Sequence, residues 1–283
     1  MHLENSVAVH ITGGLGNQLF GLAIGLEQAK RLDCELVLDA SGYANGEPRR
    51  FELASSGLRV IYGSSPLLKR GLRPKLLERS RQKGYATFRE NGFAFDPRVN
   101  SITVGTMLFG YFQSPKYFPN VEADVRQFIL DQDVPVIAPE KSTDFVTAHV
   151  RRGDYMNPET AKFHGISSED YFKRGFTVLD KMHVNLPIRI FTDSPDEVAA
   201  SDIAKNFDCE IVDDTKWTPW QTLNYMASGS SIIMSNSSFS WWAAWLMTLR
   251  DPKAIVVGPR PWFADGNSAH DLLLPNWLTL DNR

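Results

Sequence analysis

The first forty residues constrain the fold of this chain more than any other stretch. A short apolar run at 7–11 leads into a glycine turn at 13–16, and apolar residues then recur with helical spacing as far as residue 32. A second apolar run follows at 35–39. Strand, glycine turn, helix and strand form a βαβ unit, whose two strands lie parallel in one sheet. The chain therefore begins as an α/β structure.

A second series of strands and helices begins near residue 144 and continues to residue 257. The stretch 49–98 between the two series is basic and poorly periodic, so we expect loops and short helices there. A chain of 283 residues can form two domains of modest size. We predict two Rossmann-type lobes with parallel sheets: an N-terminal α/β lobe (1–139, acceptor side), a C-terminal Rossmann-like lobe (140–260, donor side), and a C-terminal segment (261–283) that packs back on the first lobe. Ligands of open α/β sheets bind beyond the carboxyl ends of the strands, so we expect the site in a cleft between the lobes.

Composition excludes several classes of protein. Thirty basic and 33 acidic residues give a net charge of −3, which argues against a nucleic-acid binder. Cys34 and Cys209 lack the spacing of a disulfide framework or a zinc site. The N-terminus does not resemble a signal peptide, and serines interrupt the apolar stretch 230–249. We expect a cytoplasmic protein without a transmembrane segment, and a peripheral contact with a membrane surface stays open.

The glycine turn resembles a dinucleotide fingerprint but departs from it. A GxGxxG motif starting at Gly14 needs a third glycine where this chain has Leu19, although Asp39 stands at the right distance for a ribose contact. What remains is a strand-to-helix turn with backbone amides and Asn17 at the start of the helix, which can bind an anion or a sugar. The alternative is a tight turn in which Asn17 only caps the helix.

A pair of arginines follows the strand predicted at 145–150. Alternation along that strand puts His149 and Arg151 on one face. Arg151, just past the strand end, can direct two N–H groups at a phosphate, and Asp154 can hold an arginine in place. The alternative is a solvated turn with an internal arginine–aspartate pair.

Two further strand ends carry polar side chains. Asp193 can accept hydrogen bonds from a guanine edge or a ribose, or it can cap the helix that follows. Ser237 and Ser238 belong to a serine-rich run at the start of another helix, where hydroxyls, backbone amides and the helix dipole together favour an anion. Three tryptophans at helical spacing are expected in the core rather than against a sugar: Trp241, Trp242 and Trp245.

Metal-binding patterns are weak in this sequence. The acidic pairs at 131–133 and 213–214 resemble a DxD clamp, but their flanks are loop-like. No HExxH or similar histidine spacing occurs. We therefore predict that the protein binds no metal.

Taken together, these motifs resemble the α-1,2-fucosyltransferases of glycosyltransferase family 11. The resemblance spans nearly the whole chain and is carried by the segments 13–20, 149–155, 191–194, 235–245, 259–263 and 275–278. It implies a GT-B-like fold and GDP-β-L-fucose as donor. It also implies inverting, metal-independent transfer, without a cofactor, to the 2-hydroxyl of a galactoside such as lactose or the terminal galactose of a glycan.

The resemblance also implies roles for individual residues. Arg151 would bind the pyrophosphate of GDP and stabilise the leaving group. The other donor-binding residues would be Gly14 and Asn17 beside the phosphate or fucose, His149 and Asp193 near the guanosine, and Ser237 and Ser238 on the phosphate. A general base must take the proton of the acceptor hydroxyl. The candidates are Glu159, Asp154 and His164.

Two alternatives come from other classes of protein. A NAD-dependent oxidoreductase would use the glycine turn and Asp39, but Leu19 argues against it. A non-catalytic carbohydrate-binding protein would use the tryptophans, but it gives no reason for the arginine and serine anion sites. Fucosyl transfer accounts for all of these motifs, so it is our principal prediction.

Overall fold

The computed structural model describes residues 5–53, 57–63, 86–132, 144–152, 165–182, 184–267 and 269–283. The chain divides into two compact units, Met1–Ile129 and Leu130–Arg283, each built around a parallel sheet. This arrangement confirms the predicted class of two α/β lobes with Rossmann-type sheets. The division falls after residue 129 rather than after the predicted residue 139. Of the helices in the described ranges, none is long and apolar enough to cross a membrane.

The first unit contains a five-stranded sheet in the order β3-β2-β1-β5-β4, with every pair of neighbours parallel. Its strands are β1 (Ser6–His10), β2 (Glu35–Asp39), β3 (Arg59–Ile61), β4 (Ala86–Arg89) and β5 (Thr106–Phe109). β3 and β4 lie in the stretch where the sequence predicts loops and short helices. They have three and four residues, too few for a periodic pattern to be visible.

Helix α1 (Leu15–Leu32) packs closely on this sheet. A Cβ atom at Gly25 would lie 2.6 Å from Leu36 Cδ1, and one at Gly21 would lie 2.7 Å from Ile11 Cδ1. In a dinucleotide fingerprint the third glycine allows the helix to pack closely on the sheet. Here Gly21 and Gly25, further along the helix, allow this close packing. The part of this unit that the structure describes also contains α2 (Glu122–Leu130) and three short 3-10 helices, Ser41–Asn45, Pro97–Ser101 and Pro115–Tyr117.

The second unit contains a six-stranded parallel sheet in the order β11-β10-β9-β6-β7-β8. Its strands are β6 (Val146–Val150), β7 (Ile188–Thr192), β8 (Cys209–Ile211), β9 (Ser231–Ile233), β10 (Ile255–Arg260) and β11 (Leu278–Asp281). The C-terminal segment, expected on the first lobe, here supplies β11 of the second sheet. The backbone N–H of Asn282 donates to Arg260 O over 2.9 Å, and the N–H of Ser168 donates to Asn282 O over 3.3 Å, which fixes the chain end to this unit.

Among the described residues of the second unit, the helices are α3 (Glu169–Lys181), α4 (Pro195–Ala200), α5 (Asp202–Asn206), α6 (Pro219–Ser228) and α7 (Ser238–Arg250). The side chains of Trp241, Trp242 and Trp245 on α7 are fully buried. The indole Nε1 of Trp241 donates to Leu272 O over 2.8 Å. The prediction that these tryptophans belong to the core is confirmed.

In both sheets the strands that follow the first strand lie on one side of it, and later strands of the chain lie on its other side, so the strand order reverses beside the first strand. In the first sheet the reversal lies between β1 and β5, and in the second between β6 and β9. Open α/β sheets bind ligands at such switch points, outside the carboxyl ends of the strands. The loops after β1, β5, β6 and β9 are therefore where functional side chains are expected.

Candidate functional site

Arg151 follows β6 at the switch point of the second sheet, beside a carboxylate from the next strand. Val150 of β6 is opposite Thr192 of β7, so the residues that follow, Arg151 and Asp193, come side by side. Arg151 Nε lies 3.1 Å from Asp193 Oδ2, and the backbone N–H of Arg152 donates to Asp193 Oδ1 over 2.9 Å. Asp193 therefore braces the chain as it leaves β6, while 19% of the Arg151 side chain stays exposed.

Arg152 points into the protein. Its Nη1 donates to the carbonyl of Ser167 over 2.8 Å, and its Nε lies 3.4 Å from Glu197 Oε1. Burial lowers the pKa of Arg152, and the nearby carboxylates, Glu197 first, oppose that shift. Because Arg152 is held inside by these groups, Arg151 is the more exposed of the two arginines.

His149, at the end of β6, connects the two strands that flank the switch point. Its Nδ1 lies 2.9 Å from Ser235 Oγ, in the loop after β9, and its ring centroid is 6.1 Å from that of Phe239. Burial, reinforced by the positive charge of Arg151, lowers the pKa of His149 to about 3. The imidazole is therefore neutral at physiological pH. The predicted contact between His149 and guanosine stays a prediction.

The serine-rich loop after β9 ends at the N-terminus of α7. Ser237 caps this 13-residue helix, because its Oγ accepts the N–H of Phe239 over 3.3 Å. The Oγ of Ser240 donates to the carbonyls of Ser235 and Ser237, at 3.2 and 3.1 Å. Amides in the first turn of a helix, together with its dipole, favour an anion. The loop thus places Ser237 and Ser238 where a phosphate would be stabilised, although their contact with one is still a prediction.

Asn236 has a role that sequence reasoning missed. Its side chain is 1% exposed. The Nδ2 group donates to Trp262 O over 3.1 Å and to Gly165 O over 3.3 Å, and Oδ1 accepts from Ser167 Oγ over 3.3 Å. Asn236 therefore joins loops that follow three different strands. No spacing in the sequence signals this role, because its partners are mainly backbone carbonyls far away along the chain.

The glycine turn lies at the switch point of the first sheet. Gly13 has a φ of +76°, in the left-handed region, and a Cβ atom there would lie 2.6 Å from Asn17 Nδ2. The carbonyl of Gly13 accepts the hydroxyl of Tyr43 at 2.8 Å and Gln18 Nε2 at 2.9 Å. Gly14 precedes the first turn of α1. Only glycine at position 13 allows the turn and the Asn17 side chain to approach so closely.

Gln113, from the loop after β5, contacts Asn17 across the same switch point. Its Nε2 donates to Asn17 Oδ1 over 2.9 Å. Ninety-six residues separate the two side chains, and the sequence offers no signal that connects them. We refer to Gly13, Gly14, Asn17 and Gln113 as the glycine-turn cluster. His149, Arg151, Asp193 and the residues 235–238 form the arginine–serine cluster of the second unit.

Asp39 has a structural role that removes the basis of the oxidoreductase alternative. Its buried carboxylate accepts the N–H of Ser41 over 3.1 Å and lies 3.2 Å from His10 Nδ1. Burial alone would raise the pKa of Asp39, but the hydrogen bonds from His10 and Ser41 outweigh it and lower that pKa. Because Asp39 is fully buried, its carboxylate presents no exposed oxygen for the ribose contact that a NAD-dependent enzyme would make.

Three candidates for the general base, Glu159, Asp154 and His164, lie outside the described residues. Within the described ranges, no three His, Cys, Asp or Glu side chains come close enough together to hold a metal ion. Asp213 Oδ1 accepts Thr215 Oγ1 at 2.6 Å, and Asp214 Oδ2 accepts Thr222 Oγ1 at 3.0 Å. This second acidic pair is thus engaged by threonines of its own unit.

Each of the two α/β units has a parallel sheet with polar loops at its switch point. The sequence model described as glycosyl transferase family 11 matches residues 69–281. That match covers most of the chain, and the chain belongs to this family of glycosyltransferases. The resemblance stated from the sequence motifs is thereby confirmed.

Two relatives from Escherichia coli match over almost their whole length. An alpha-1,2-colitosyltransferase is 28% identical over an alignment of 275 positions, which covers 91% of this chain and 92% of the relative. The O-antigen biosynthesis glycosyltransferase WbnK is 26% identical over an alignment of 305 positions, which covers 95% of this chain and 99% of the relative. Among solved structures, the alpha-1,6-fucosyltransferase NodZ soaked with GDP-fucose is 15% identical with a TM-score of 0.42, covering 85% of this chain and 91% of NodZ.

Proposed function

We propose that this glycosyltransferase moves L-fucose from GDP-β-L-fucose to the 2-hydroxyl of a terminal galactoside, with inversion at the anomeric carbon. The arginine–serine cluster carries the proposal. It gathers an accessible arginine, serine hydroxyls and the amides of a helix N-terminus at one switch point, a combination suited to a diphosphate. The α-1,2 linkage is supported by the family and by the name of the colitosyltransferase relative.

The charges of this cluster suit the chemistry of transfer. The bond between the anomeric carbon and the β-phosphate oxygen breaks, and the acceptor oxygen forms a bond to the same carbon. Negative charge collects on the departing GDP, where Arg151 and the first-turn amides of α7 would stabilise it. Preorganised groups of this kind commonly contribute 10²–10³-fold per donor in turnover. Because protein groups supply the compensating charge, we propose that the reaction needs neither a metal ion nor a cofactor.

Asp193 acts on Arg151 in this proposal. The resemblance implies a position near the guanosine, whereas its two carboxylate oxygens face Arg151 Nε and the N–H of Arg152. We propose that its main task is to hold the guanidinium of Arg151 in place. A contact with the nucleoside would be additional to that task.

The acceptor hydroxyl must lose a proton as it attacks. On the resemblance, we propose Glu159 as the group that takes this proton, with Asp154 as the second candidate. Replacing each by its amide would separate them, since only the true base should lose turnover while GDP binding is retained.

The decisive experiment is to incubate the purified 283-residue chain with GDP-fucose and a panel of galactosides, lactose among them, and to map the product linkage by NMR. We expect an α-1,2-linked fucose, formed equally well in EDTA. An absolute requirement for Mn²⁺ would contradict the metal-independent reaction, and a different linkage would contradict the regiochemistry. Stabilisation by GDP in the absence of any galactoside would separate the enzyme from the non-catalytic carbohydrate-binding alternative, which gives no reason for the anion sites.

A second donor should be tested beside the first. A relative that covers almost the whole chain is named as a colitosyltransferase, and colitose is fucose without its 3-hydroxyl. Comparing kcat/KM for GDP-fucose and GDP-colitose measures how much the enzyme uses that hydroxyl. We expect GDP-fucose to be the better donor, and a preference for GDP-colitose would reassign the donor sugar.

A further inference from the structure

The contact between Gln113 and Asn17 joins two side-chain amides. Gln113 Nε2 donates to Asn17 Oδ1 over 2.9 Å, and the Gln113 side chain is largely buried. A primary amide has two ends of nearly equal shape and opposite polarity, one an acceptor and the other a donor. A neighbour that donates to the oxygen of Asn17 therefore also decides where its NH₂ group points.

The loop that carries Gln113 is held in an unusual conformation. Phe112, just before Gln113, has a φ of +51°, which is rare for a residue other than glycine. Its ring is fully buried, with its centroid 5.3 Å from that of Tyr117. Glu90 Oε2 accepts the backbone N–H groups of Tyr111 and Phe112, at 2.8 and 2.9 Å. Such outliers persist only where the surroundings impose them, and they concentrate at functional sites.

Gly13 lies beside the amide of Asn17. Asn17 stands in the first turn of α1, and a Cβ atom at position 13 would be 2.6 Å from its Nδ2. Glycine at position 13 therefore leaves room for that amide, and the hydrogen bond from Gln113 determines which of its two ends points towards Gln113.

We propose that Gln113 is a positioning residue for Asn17, which fixes the amide so that its NH₂ group, and not its oxygen, serves the substrate. Glu90 supports this task through the loop before Gln113. The inference rests on the proposed function and on the family resemblance, which implies that Asn17 faces the phosphate or fucose of the donor. A donated hydrogen bond suits these electron-rich oxygens, whereas a reversed amide would present a repelling acceptor.

Three variants separate orientation from packing. Gln113→Glu keeps the shape but replaces the donor by an acceptor, so the amide of Asn17 should reverse. Gln113→Leu removes the hydrogen bond without imposing an orientation. Asn17→Asp keeps an acceptor for Gln113 and removes the NH₂ group itself. Purified variants should be compared by thermal unfolding, by kcat and by KM for the donor.

We expect Gln113→Glu and Asn17→Asp to lower kcat about 10²-fold, with KM for the donor changed less than threefold. Gln113→Leu should lower kcat about tenfold or less, even if it destabilises the fold as much as Gln113→Glu does. A purely structural role predicts instead that activity follows stability. Wild-type kcat in a folded Gln113→Glu variant would overturn the inference while leaving the proposed function intact. Absence of transfer by the wild-type protein would contradict the proposed function itself.

Discussion

The two arginines after β6 stand side by side in the chain and have different surroundings. Strand alternation correctly separates them, but it says nothing about which one is buried, because the strand ends at Val150. The distinction comes from Ser167 and Glu197, which engage Arg152 inside the second unit. Neither partner is close to Arg152 along the chain. The sequence could therefore indicate Arg151 as the residue that binds an anion, but it could not show which groups hold Arg152.

The coupling between Arg151 and Asp193 can be measured with a double-mutant cycle. We expect Arg151→Ala to lower kcat by about 10²–10³-fold and Asp193→Asn by less, since the amide keeps an acceptor for the backbone. The double variant should be scarcely worse than Arg151→Ala, because Asp193 acts through Arg151. Asp196→Asn, a nearby exposed carboxylate, is the control. Full additivity of the two losses would mean that Asp193 contacts the donor independently.

His149 should make the stability of the fold depend on pH. Burial lowers its pKa to about 3, whereas an unfolded histidine titrates near pH 6.5. The unfolded chain therefore binds a proton that the folded chain does not bind. As a result, the free energy of unfolding falls as the pH drops below about 6.5. Between pH 7 and pH 5 this costs about 2 kcal/mol. Urea unfolding at the two pH values should show a smaller loss for His149→Asn than for wild type, and equal losses would contradict the prediction.

The role of the N-cap residue of α7 in donor binding can be tested by mutation, with the N-cap residue of α6 as a matched control. Ser237 Oγ accepts the N–H of Phe239 at 3.3 Å, and Thr218 Oγ1 accepts the N–H of Gln221 at 3.2 Å. Replacing either residue by alanine should cost about 1 kcal/mol of stability. Only Ser237→Ala should also raise KM for the donor, because α7 begins in the arginine–serine cluster. An equal rise in both variants would contradict the assignment of this helix terminus to the donor.

Elements with clear periodicity were predictable, and short ones were not. The strand–turn–helix at the N-terminus and the tryptophan helix follow from spacing alone. β3 and β4 have too few residues to alternate, and they owe their existence to pairing with β2 and β5. β11 also depends on pairing: β10 pairs with β9 along one edge, and β11 pairs with the other edge of β10. Tertiary pairing decides such strands, so local sequence does not reveal them.

At the scale of the whole molecule, each unit repeats one design: a parallel sheet whose switch point carries polar loops. The sequence indicated most of these loops, because glycines, arginines and serines stand directly after apolar runs. It did not indicate the side chains that hold them, such as Asn236 and Gln113. These residues act through partners far away along the chain, and that kind of contact exists only once the sheets have formed.

We propose that the protein holds the nucleoside diphosphate of a sugar donor through Arg151 and the groups around it. Isothermal titration of GDP into the wild-type protein in the presence of EDTA, with Arg151→Ala titrated in parallel, measures this binding. We expect saturable binding of one GDP per chain without a metal ion, and binding at least tenfold weaker in the variant. Absence of binding by well-folded wild-type protein, or equal affinity in Arg151→Ala, would contradict it.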